Sequence, residues 1–272
     1  MKIYIYLLLS VLISLNACKK LPNGGIPTYI KLANPSLQTE VNQGATVHGI
    51  SDLWIESGGK DLGAYEYPTI FPAYLAGENT VSINAGVFYN GSTSERRIHP
   101  ALDPFKTTLN FIQEDTILIE PVFKYKSSVN FLYIEDFENS NNFSNVDRTV
   151  QTDAANISGK AGVITLNTGE NFKAAETINS LQITEGQRVI LEFGLKTSNY
   201  GGFGFKSVSN SANTIQMGSF APYDNWTTSY FELTSFINQV KEGEYQFYIE
   251  VERGDLSGES KTYIDNFKII QF

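Results

Sequence analysis

Apolar and polar residues alternate one by one through much of this chain. In residues 79–87, Val81, Ile83, Ala85 and Val87 share one face, while Thr80, Ser82, Asn84 and Gly86 take the other. Successive side chains of an extended strand point to opposite sides, so the pattern predicts a strand with one buried and one wet face. The same pattern returns in residues 189–196, where Val189, Leu191, Phe193 and Leu195 face inward. It returns again in residues 245–252, with Tyr245, Phe247, Ile249 and Val251 on the apolar side. Gly58-Gly59 and Asn90-Gly91 punctuate such runs; both pairs accept the positive φ of a type I′ turn and predict hairpins. Pro68 and Pro72 argue against a central strand and predict an extended crossing before Gly77 opens the next strand. One or two helical turns are expected at residues 233–240, closed by Lys241. The helices of 10–15 residues that a parallel βαβ fold requires are missing. The expected class is all-β, with two antiparallel β-sandwich domains.

The first residues follow another pattern. Lys2 precedes an apolar run over residues 3–15 that is broken only by Ser10 and Ser14. This run falls short of the ~20 residues of a membrane-spanning helix and fits the apolar region of an export signal. Leu15-Asn16-Ala17-Cys18 then resembles the lipobox of bacterial lipoproteins. That resemblance implies removal of residues 1–17 and lipid attachment at Cys18, so that the membrane is held through acyl chains. Residues 18–28 form a Pro/Gly-containing tether in which Lys19 and Lys20 can lie over anionic headgroups. No acidic run follows Cys18 of the kind that resembles the surface-export signal of Bacteroidetes lipoproteins. The expected location is therefore the outer membrane, with a preference for the periplasmic leaflet. The polar stretch Lys124-Tyr125-Lys126-Ser127-Ser128 divides an amino-terminal domain, residues 29–126, from a second domain, residues 130–272.

Composition narrows the chemistry. A single Cys allows no internal disulfide and no thiolate cluster. A formal charge of -9 argues against nucleic acid, since phosphate recognition needs a concentrated basic patch. His48, placed along a strand, and His99, in a loop before Pro100, have no nucleophile motif beside them, and G-x-S-x-G is absent. Glu250 and Glu252 share one strand surface, which reads as ordinary sheet polarity rather than an acid/base pair. No enzyme is expected. Aromatic residues suggest binding instead: Phe220, Tyr223, Trp226, Tyr230 and Phe231 cluster, while Tyr200 and Phe203 flank Gly201-Gly202. Sugar rings can lie against aromatic faces while nearby Asn and Asp meet their hydroxyls. Tyr223 and Tyr200 are the candidate ligand contacts, and Trp226 is expected in the core. A first and a last strand that pair can also bring Glu138 and Asp265 together at a rim. Two carboxylates plus backbone carbonyls would suit a structural Ca²⁺; the alternative is that Asp265 and Asn266 merely hold a turn.

Two stretches carry a wider resemblance. Gly49-Ile50-Ser51-Asp52-Leu53-Trp54-Ile55, Leu62-Gly63-Ala64-Tyr65-Glu66-Tyr67-Pro68 and Ala76-Gly77-Glu78-Asn79-Thr80-Val81 look like a β-rich amino-terminal domain of Bacteroidetes lipoproteins. Glu135-Asp136-Phe137-Glu138, Asn225-Trp226-Thr227 and Tyr263-Ile264-Asp265-Asn266-Phe267-Lys268-Ile269 resemble the jelly roll shared by carbohydrate-binding modules and adhesion domains. The resemblance implies a jelly-roll second domain, a membrane-anchored, non-enzymatic glycan-binding or adhesion role, and a structural Ca²⁺ near Glu138 and Asp265. The alternative is a structural or interaction subunit that recognises an envelope protein.

Overall fold

Hairpin chemistry and alternation become strands almost throughout. The computed structural model describes residues 25–150, 159–210, 213–237, 242–254 and 257–272, and these hold twenty-one strands and a single helical turn, Thr234–Ile237. Cys18, residues 1–17 and the tether up to residue 24 lie outside the described residues, as do Lys241 and the end of the expected helix.

The first half contains β1 (Thr28–Leu32), β2 (Ser36–Gln38), β3 (Ile50–Ser57), β4 (Lys60–Tyr65), β5 (Thr69–Ala73), β6 (Gly77–Phe88), β7 (Arg96–Ile98), β8 (Phe105–Phe111), β9 (Thr116–Ile119) and β10 (Val122–Lys124). One sheet runs β4-β3-β6, and the long β6 pairs β8 along its first half and β7 along its second. Across from it lie β5-β1-β9 and the pair β10-β2. Val81, Ile83, Ala85 and Val87 all point into the core, as their alternation requires. Gly58 and Gly59 have φ of 57° and 73° and join Ser57 directly to Lys60, a two-residue hairpin. Asn90 and Gly91 also take positive φ, with the Ser92 N–H donating to Tyr89 O at 3.0 Å. Their turn opens a longer loop, because the returning strand pairs only from Arg96.

Two features depart from the sequence expectation. Pro72 lies inside β5, but β5 is an edge strand that pairs only with β1, where a missing N–H is tolerated. The pairings β1–β9 and β2–β10 are parallel, so the first sandwich is not wholly antiparallel. The opening segment steps from β1 to β2 at Ala33–Pro35 beside a matching break at Glu120–Pro121. Ala33 N–H donates to Ile119 O and Ser36 N–H to Pro121 O across the step. The long chain between these strands supplies the crossover that parallel pairing needs.

The second half contains β11 (Asn130–Glu135), β12 (Asp147–Val150), β13 (Lys160–Leu166), β14 (Phe172–Glu176), β15 (Leu181–Ile183), β16 (Val189–Thr197), β17 (Tyr200–Ser207), β18 (Thr214–Phe220), β19 (Tyr223–Glu232), β20 (Gly243–Glu252) and β21 (Ser260–Gln271). One sheet has the order β12-β13-β21-β16-β19, with β11 also on β21. The other has the order β14-β20-β17-β18, with β15 also on β20. All these pairings are antiparallel, and the two sheets close on an aromatic core in a jelly-roll-like sandwich. Phe203 meets Phe231 at 4.6 Å and Phe247 meets Phe267 at 4.8 Å between ring centroids.

Alternation predicts a wet outer face for β16, yet both of its faces are buried. Ile190, Tyr230 and Ile270 pack into the core of the first half, together with residues such as Ile50, Val87 and Phe123. A polar network is sealed in this contact. His99 Nδ1 accepts from Ala101 N–H at 3.2 Å, which leaves the Nε2 proton to be donated to Glu192 Oε1 at 2.6 Å. Tyr125 donates to Glu192 Oε2 at 2.9 Å, while Lys268 Nζ donates to Tyr125 Oη at 3.2 Å and to Ala45 O at 3.1 Å. Burial pushes the Glu192 carboxyl up, but His99, Lys268 and Tyr125 outweigh it and hold the group below its ordinary value. Burial lowers Lys268, opposed by the Glu192 charge. His48 sits before β3 rather than on a strand, with Nε2 3.2 Å from Pro35 O.

Candidate functional site

The outer face of the β14-β20-β17-β18 sheet carries a cleft of about 620 Å³. Inward Phe247, Ile249 and Val251 anchor β20 in the core, so Tyr248, Glu250 and Glu252 must point outward. Register then fixes their neighbours. Glu252 lies opposite Tyr200 on β17 and Phe172 on β14, and Glu250 lies opposite Gly202 and Ala174. Ser219 on β18 faces Gly202, and Gln216 faces Gly204 across a bulge. Gly201 and Gly202 keep the floor low because they raise no side chain into the cleft. A Cβ on Gly204 would lie 2.0 Å from Ile215 O.

Two aromatic side chains stand over this floor, with Phe172 56% and Tyr200 49% exposed. The far wall comes from the first half of the molecule, where Asn90 and Gly91 line the cleft. Asn90 Oδ1 accepts the Glu232 N–H at 2.9 Å, which pins that loop to β19. Glu250 and Glu252 have no ion-pair or side-chain hydrogen-bond partner among the described residues, and no Lys or Arg lines the cleft. Burial pushes the Glu250 carboxyl above its ordinary value, and burial together with the Glu250 charge raises the Tyr248 phenol. The cleft thus combines aromatic faces, amides, a hydroxyl and two uncompensated carboxylates.

Tyr200 and Tyr223, distant in the fold's hydrogen-bonding order, both line this cleft. Tyr223 leans on the core and also borders a shallower groove of about 160 Å³ with Lys196, Asp224, Lys261 and Tyr263. Trp226 is not in the core. It is half-buried beside Tyr263 at 6.2 Å, both on the sheet that does not carry the cleft, and its Nε1–H is buried without a partner among the described residues. Phe172, Gln216 and Asn90 were not legible as site residues, because strand register rather than sequence proximity brings them there. Asn90-Gly91 carries a turn signal, which is a signal for the wall but not for its use.

Glu138 and Asp265 come within electrostatic reach of each other. Burial drives Asp265 up to about 8, opposed by the Asn266 N–H and reinforced by Glu138, Asp136 and Glu135. Glu138 has left the first strand: β11 ends at Glu135, and Phe137 turns the chain with φ of 56°. Glu138 Oε1 accepts Lys160 N–H at 2.9 Å. Arg148 donates to the carbonyls of Phe137, Glu138 and Asn139, and Glu135 accepts from Phe137 and Asn142. Among the described residues no group of three or more His, Cys, Asp or Glu could hold a metal ion.

No family model matches the chain, and no curated protein matches it in sequence. Solved structures are similar in part. The carboxy-terminal carbohydrate-binding module of a marine laminarinase from Zobellia galactanivorans is 12% identical over 53% of this chain and 100% of its own, with a TM-score of 0.34. A carbohydrate-binding module of the β-sandwich superfamily, described for promiscuous specificity, is 15% identical over 84% and 86% of the two chains, with a TM-score of 0.35. The enzymatically active domain of a bacteriophage tailspike protein is 12% identical over 49% of this chain, with a TM-score of 0.37; the match spans only 20% of the tailspike domain. What the cleft can bind is set by its own residues.

Proposed function

We propose that this protein is a non-catalytic glycan-binding or adhesion lipoprotein, anchored through Cys18 in the outer membrane, whose cleft seats sugar rings against Tyr200 and Phe172. The observation that carries the reading is the cleft itself. Two half-exposed aromatic rings stand over a glycine floor, with Asn90, Gln216 and Ser219 placed to meet hydroxyls. Sugars present alternating apolar and hydroxyl faces, and such a surface matches both. The anchor rests on the lipobox resemblance and is tested separately, by mass spectrometry of the native amino terminus.

The test of binding is a glycan screen on the full mature chain. Tyr200→Ala should weaken retention of a bound glycan about tenfold, the loss of one aromatic contact. Its melting temperature should stay that of the parent chain, because half of the ring is already in water. Unchanged retention would remove the cleft from the function.

One observation favours the second reading, a protein partner. On the β5-β1-β9 sheet, Ile70 (57% exposed) and Leu118 (53% exposed) flank Lys31, with Tyr29 two positions along, forming an apolar outer face. A stoichiometric envelope protein recovered from crosslinked membranes, with no glycan retention, would put this reading first.

A further inference from the structure

The charge of the cleft says which glycans it takes. Phe172, Glu252 and Tyr200 are direct neighbours across three strands, so one carboxylate stands between two aromatic side chains. Neighbouring strands lie about 4.8 Å apart, which keeps all three side chains within reach of a single ligand group. Glu250 follows on the same face, two residues or about 7 Å along β20. The basic residues around this face are turned to other partners. Lys206 donates to Glu176 at 2.9 Å, Lys173 to Thr165 O at 2.6 Å, and Arg253 to the carbonyls of Glu170 and Asn167 at 2.7 and 2.6 Å. Among the described residues, two carboxylates and no cation are therefore left in an aromatic-walled groove.

We propose, resting on the glycan reading above, that the cleft selects amino-bearing glycans, with a protonated amine seated beside Glu252 between Phe172 and Tyr200 and a second one reaching Glu250. An ammonium placed there gains from the carboxylate and from the negative faces of the rings at once. Burial disfavours the Glu250 charge, and an ammonium placed beside it would favour the ionised carboxylate again. Uronate and sulfate groups meet the same field with the opposite sign and are repelled. Asn90, Gln216 and Ser219 remain for ring hydroxyls, which a sugar presents and a simple polyamine does not.

The experiment compares chitosan oligosaccharides with fully N-acetylated chitin oligosaccharides of equal length, together with oligogalacturonate and oligolysine. Each is titrated into the full mature chain at a pH where the amines are protonated. The free-amine form should bind at least about tenfold more tightly than its acetylated counterpart. That preference should shrink with added salt and vanish in the double variant E250Q/E252Q, whose fold is checked by circular dichroism and melting temperature. Oligogalacturonate should not bind the parent chain. Equal binding of the free and acetylated forms, still dependent on Tyr200, would overturn the amine selectivity and leave the glycan reading standing. Binding of no sugar at all would overturn both. Oligolysine bound as tightly as chitosan oligosaccharide would make the cleft a general cation site and overturn the selectivity for glycans.

Discussion

Asp265 shows how much one side chain can record about its surroundings. It is almost wholly shielded from water in β21 and, among the described residues, accepts a hydrogen bond only from the neighbouring Asn266 N–H at 2.7 Å. Burial first, then Glu138, Asp136 and Glu135, raises its carboxyl from the ordinary 3.8 to about 8. A carboxyl raised on folding stabilises the fold in its protonated state. That contribution is full below pH 3.8 and declines as the pH climbs towards 8. The melting temperature should therefore fall across this window, and Asp265→Asn should flatten the fall, since the amide keeps an oxygen for the Asn266 N–H. A parallel profile in the two proteins would show that Asp265 does not govern it. The same melts test the Ca²⁺ expectation. A bound ion would lift the parent chain at pH 8 and leave the Asn variant unmoved, whereas no lift in either assigns the loop to Arg148 and its three carbonyl contacts alone.

At the scale of the strand, β17 separates what sequence can reveal from what it cannot. Alternation locates the inward faces of β6, β16 and β20 because a buried side chain and a wet one differ in polarity. In Tyr200-Gly201-Gly202-Phe203-Gly204-Phe205 the outward positions after Tyr200 are glycines, so the pattern marks a core face and says nothing of a floor. Tyr200 and Tyr223 were legible because each stands in a local cluster. Phe172, between Asn171 and Lys173, became a wall only through its register with Glu252. The parallel pairings were equally hidden, since nothing local encodes which distant strand lies alongside. Gly204 beside the floor and Gly202 within it should respond differently to substitution. Gly204→Ala drives a Cβ to within 2.0 Å of the Ile215 carbonyl, a backbone atom that can move only with its strand. It should cost about 1–3 kcal/mol, seen as a lower melting temperature. The Cβ of Gly202→Val first meets the flexible Gln216 amide at 2.8 Å. That variant should stay within about 1 kcal/mol of the parent while filling the floor and abolishing glycan retention. If Gly202→Val still binds normally, the ligand does not use this face.

The whole molecule depends on a surface that alternation marked as wet. The polar stretch at residues 124–128 divides the two domains in sequence; in the fold the outer face of β16 is covered by the first half, and Glu192 is held there by His99 and Tyr125 with Lys268 close behind. This contact also carries Asn90 and Gly91 to the rim of the cleft, where Glu232 N–H fixes Asn90 at 2.9 Å. Domain contact and ligand site are thus one construction. Removing Glu192 leaves the His99 N–H buried without its acceptor and the Lys268 ammonium buried without its countercharge, a loss of about 3–5 kcal/mol when one partner of a buried pair is deleted. Calorimetry should show the parent chain melting in one transition and Glu192→Ala in two, with the interface released before the jelly roll. Glycan retention should drop along with it, because the Asn90 wall is no longer held, although no residue facing the ligand has changed. Acid should imitate the variant. Glu192 lies below its ordinary 4.5 in the fold, so its contribution is full above that pH and disappears as the pH falls through the lower folded value. A Glu192→Ala chain that melts in a single transition and binds glycan as the parent does would mean that the jelly roll holds its ligand without help from the first half.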